Sequence, residues 1–212
     1  ALVVRSDRAR AWLLLGALLL APAILLVHVA DSDQVRTLRD HPALGVAAGV
    51  LGLALVGGLA AVFARLPTAF PIAVVATIPF RIPIAVGGSS SNLLLPLYLV
   101  VAAGALAWAW PRLGARGGAE TTQGAVPSPA WLERLLALVL VLYAAQAAYS
   151  GDDGRALENV VFFYIPFAVM YVLLVRIEWT SRLAAISLGV LTGLAVALAS
   201  VGHVEFATRH LL

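Results

Sequence analysis

The sequence predicts an all-α fold, a polytopic transmembrane bundle of about seven spanning helices with the third broken by prolines. Three observations lead there. Of 212 residues, 62% are hydrophobic and 12% charged, whereas a soluble domain carries about a quarter charged residues. The apolar residues fall in runs close to the roughly 20 that a bilayer-spanning helix needs. The polar stretches between those runs are too short to build a core of their own. Residues 1–212 therefore read as one transmembrane helical domain.

The first run, 11–29, follows Arg5, Arg8 and Arg10. Basic residues before an apolar run also describe a signal peptide. The run is long for that, and His28 stands where a small residue should precede cleavage, so an uncleaved helix is expected. The second span, 43–63, carries Gly45 and Gly49 four apart, then Gly52, Gly57 and Gly58. Small residues let helix backbones approach closely in lipid, so tight packing within the bundle is expected there and at Gly189 and Gly193. The third segment, 69–86, is interrupted by Pro71, Pro79 and Pro83 and leads into an uncharged turn-rich loop, 87–92. The fourth span is 93–110, ending in Trp108 and Trp110 at the interface level. Residues 111–130 shift to Gly, Arg, Thr, Pro and Ser and read as a flexible cytoplasmic loop. Spans at 131–149, 159–175 and 183–201 follow, with a polar tail from His203. The chain starts at Ala1, its single methionine is Met170, and its end resembles the approach to another element, so it reads as the N-terminal part of a longer protein.

Every basic residue other than histidine is arginine. With the N-terminus cytoplasmic, nine arginines lie inside (5, 8, 10, 65, 112, 116, 134, 176 and 182) and five outside (36, 39, 81, 155 and 209). Basic residues near span ends resist translocation, which favours this orientation. The arginines are scattered singly, which suits anionic lipid and excludes a nucleic-acid surface. There is no cysteine and hence no disulfide or thiolate metal site. Phosphate-binding loops, nucleophile elbows and paired metal-ligand histidines are missing too, against an ATPase, serine hydrolase or zinc protease within this stretch.

Chemistry is expected on the outward segments. Arg81, set among Pro79, Phe80, Ile82 and Pro83, must reach water or an anion, because an unpaired charge in hydrocarbon is expensive. It either grips a phosphate by forked hydrogen bonds or snorkels to the headgroups. Asp152, Asp153 and Arg155, with Glu158, form a mixed-charge loop that either orients a sugar substrate or is merely solvated. Asp31 and Asp33 are a carboxylate pair that can share a divalent cation bridging a diphosphate, or a solvated helix boundary. Arg209 and His210 join a phosphate partner to a possible proton acceptor.

Several stretches resemble the O-antigen ligase and polymerase-like membrane proteins of bacteria. They are 79–84 (PFRIPI), Gly88, 92–104 (NLLLPLYLVVAAG), 149–174 (YSGDDGRALENVVFFYIPFAVMYVLL) and the tail 205–212 (EFATRHLL). The resemblance implies a multi-pass glycan transferase of the bacterial inner membrane. It would move a glycan from a lipid-linked oligosaccharide on undecaprenyl diphosphate to an acceptor on the outer face, without a metal ion or other cofactor. It also implies that the decisive arginines and histidine lie mainly beyond Leu212. Two other readings stand beside it: a metal-dependent lipid-linked sugar transferase using Asp31 and Asp33, and a transporter or flippase, since broken helices around a charge also build substrate sites.

Overall fold

A computed structural model describes residues 6–28, 42–80, 82–86, 89–114, 130–149 and 160–208. Among them are seven α-helices and one two-stranded hairpin: α1 (Asp7–His28), α2 (Pro42–Arg65), α3 (Ala69–Thr77), β1 (Ile82–Val86), β2 (Ser89–Leu93), α4 (Leu95–Gly114), α5 (Ala130–Ala148), α6 (Ile165–Leu174) and α7 (Ser181–Thr208). A π-helical turn, Val160–Tyr164, leads into α6.

Local chemistry sets several ends. The Ser6 hydroxyl accepts from the Ala9 amide at 3.5 Å, and the Thr180 hydroxyl from the Leu183 amide at 3.2 Å, each satisfying a donor that a helix start leaves orphaned. The Thr77 hydroxyl closes the last turn of α3 by donating to the Ala73 and Val74 carbonyls at 2.8 and 3.1 Å. Pro79 cannot supply the next backbone donor, so the helix stops. Below α6, the Trp179 indole N–H donates to the Leu174 carbonyl at 3.2 Å.

Three expectations are corrected. Among the described residues the helical reading holds for seven helices, to which the structure adds one hairpin. The third apolar segment is helical only to Thr77, then forms an antiparallel pair in which Ile82 faces Leu93, Ile84 faces Ser91 and Val86 faces Ser89. Prolines at 79 and 83 break helical hydrogen bonding, while a run rich in β-branched residues extends readily. Next, the chain stays helical past both expected exits. Pro111 lies within the final turn of α4, and residues 203–208 complete α7 instead of forming a polar tail. The Thr208 hydroxyl donates to the Val204 carbonyl at 2.8 Å. Finally, six of the glycines of α2 and α7 do not pack within the bundle. A Cβ placed on Gly49, Gly52, Gly57, Gly58, Gly189 or Gly193 meets nothing within 4 Å.

The close approach occurs on α4. This helix packs against α1, α2, α3 and α6, and its Ala103, Ala105 and Ala109 are fully buried. At Gly104 the neighbour is the Phe70 ring, which a Cβ would overlap. Phe70 also meets Phe63 edge to face, with centroids 5.5 Å apart. Around these rings gather Ala60 of α2, Val74 of α3, Leu97 and Val101 of α4 and Leu173 of α6. The core thus sits where α2 ends and α3 begins.

Away from it the helices are bare. Among the described residues two helices, α2 and α7, are both long and apolar enough to cross a bilayer, with mean hydropathy 2.3 and 2.1. Only 11% and 6% of their apolar windows are buried, where the core helix of a water-soluble domain is mostly buried. Leaving one large aliphatic side chain in water forgoes about 1.5–3 kcal/mol.

Because Phe70 is hemmed in by Phe63, Gly104→Ala should lower stability by about 1–3 kcal/mol in detergent-micelle thermal melts. Phe70→Leu in the same chain should recover part of that loss. Gly52→Ala, facing open space, should stay within about 0.5 kcal/mol of the parent.

Candidate functional site

All the candidate residues named from sequence (Arg81, Asp31, Asp33, Asp152, Asp153, Arg155, Arg209 and His210) lie outside the described residues, as does Glu158. What is described is the set of elements to which they attach. Arg81 stands in sequence between Phe80, half exposed after the last turn of α3, and the first residue of β1. Asp31 and Asp33 follow α1, the 152–155 group joins α5 to the π turn, and Arg209 follows α7.

Two of these attachments meet. The π turn packs against both α5 and α1, bringing the flanks of the 152–155 segment beside the helix that precedes Asp31. The seam with α5 is aromatic: Tyr143 and Tyr164 stack with centroids 4.3 Å apart and planes 21° apart. A π turn inserts one residue per turn into a helix and recurs at functional positions. Here Val160 within it is buried while Phe163 is exposed.

The end of α7 is not drawn in. Its buried residues are Leu183 and Ser187, and nothing from 188 to 208 is buried. The last described residue of α7, Thr208, is therefore separated from its last buried residue, Ser187, by about 30 Å of helix. The Ser187 hydroxyl is buried with no hydrogen-bond partner among the described residues. Those residues also contain no cluster of three metal-ligating side chains.

The other end of α6 carries a cationic feature that span-by-span reading overlooked. The Arg112 guanidinium carbon lies 4.2 Å and that of Arg176 4.7 Å from the centroid of the Trp108 ring. Arg112 also donates to the Trp108 carbonyl at 2.6 Å. The sequence signal was the four-residue spacing of Trp108 and Arg112 on one helix face. Nothing local announced Arg176, which the folding of α6 against α4 brings in.

No family model matches the chain, and no curated protein or solved structure matches it either.

The tyrosine stack, which also carries a side-chain hydrogen bond between the two residues, joins α5 to the π turn. Tyr143→Leu should cost about 0.5–1.5 kcal/mol beyond lost area. A double-mutant cycle with Tyr164→Leu, read by thermal melting, should return a coupling energy of that size.

Proposed function

We propose that the chain is the membrane-embedded scaffold of a glycan transferase, a multi-pass helical bundle with a cytoplasmic N-terminus in the bacterial inner membrane. It moves a glycan from an undecaprenyl-diphosphate carrier to an acceptor on the outer face. The observation that carries the reading is the interrupted third segment. Nine residues of α3 cover only about 13 Å at 1.5 Å per residue, under half of a bilayer core of about 30 Å. The chain then continues as a hairpin instead of a helix.

Each strand of a two-stranded hairpin has one unpaired edge of N–H and C=O groups. Such backbone is tolerated at membrane depth only where protein buries it or water reaches it. Ser89, Ser90, Ser91 and Asn92 on β2 favour water. A wet recess opening outward is what a lipid-linked diphosphate needs. The resemblance of 79–104 to O-antigen ligase and polymerase-like proteins falls on this same stretch.

Within that reading the chemistry is glycosyl transfer. An acceptor hydroxyl attacks the anomeric carbon, the bond to the carrier diphosphate breaks, and the hydroxyl proton passes to a base. Arg81 supplies forked hydrogen bonds to the diphosphate, whose charge grows as it leaves. Asp152, Asp153 and Arg155 orient the sugar. Arg209 and His210 are the local candidates for further charge neutralisation and for the base.

Arg81→Ala in the whole protein should reduce transfer by about 100-fold or more, measured as glycan chased from labelled carrier in membrane vesicles. Arg81→Lys should restore part, because a point charge replaces the fork. Unchanged transfer and carrier affinity in Arg81→Ala would leave only headgroup snorkelling. The parent chain contains no cysteine, so Ser90→Cys offers a second reading. A membrane-impermeant maleimide should label it from the outer side of intact cells, and protection from that side would remove the wet recess.

A further inference from the structure

We draw no further inference here: the strongest candidate, the open apolar groove along the first half of α2 lined by Pro42, Val46, Ala47, Val50, Leu51 and Ala54, carries nothing, because nothing among the described residues shows what covers it.

Discussion

Four helices reach one another only because α4 is thin along the stretch they share. Ala103, Ala105 and Ala109 are fully buried, and Gly104 leaves room for an aromatic ring in contact with its backbone. Helices in hydrocarbon have no hydrophobic drive to associate and rely on van der Waals contact between close backbones, the kind of contact that Gly104 permits. The Phe63–Phe70 pair fills the space so created. Bulk at Gly104 would push α3 off α4, and with it α7, whose main contact is with α3.

That dependence explains why the fold is dense at one end and open elsewhere. The core lies where α2 ends, α3 begins and α6 finishes, while α5 touches the rest chiefly through the π turn. A bilayer makes such openness tolerable, since lipid tails solvate leucine as well as another helix would. In water the same exposed faces would each forgo stabilisation of about 1.5–3 kcal/mol per large side chain.

Much of the helical framework was legible in the sequence. The runs 43–63 and 131–149 do form helices, α2 (Pro42–Arg65) and α5 (Ala130–Ala148), and of the two α2 is shown long and apolar enough to span. Long apolar runs bounded by polar residues leave few alternatives. The hairpin was written in the sequence but overlooked: Gly87-Gly88 between an extended apolar run and Ser-Ser-Ser-Asn is a hairpin signal. Proline had drawn attention to helix breaking alone. The glycines of α2 misled for a different reason. Small residues permit close approach without requiring it, and which helix is approached depends on the whole arrangement. Of the ring partners of Trp108, Arg112 lies one helical turn away, but Arg176 comes from more than sixty residues on, beyond any local pattern. The residues proposed for transfer were chosen by charge and position, and the structure contributes the elements from which they extend.

The mounting of α7 has a mechanical consequence. Twenty-eight residues long, it is held near its start, where Leu183 and Ser187 are buried, and its seat is α3, a helix of nine residues. From Ser187 to Thr208 the helix extends about 30 Å. A tilt of only about 10° at the seat carries the far end sideways by about 5 Å, roughly one helical turn's length. The length of α7 thus amplifies geometrically any change of angle where it meets the short α3.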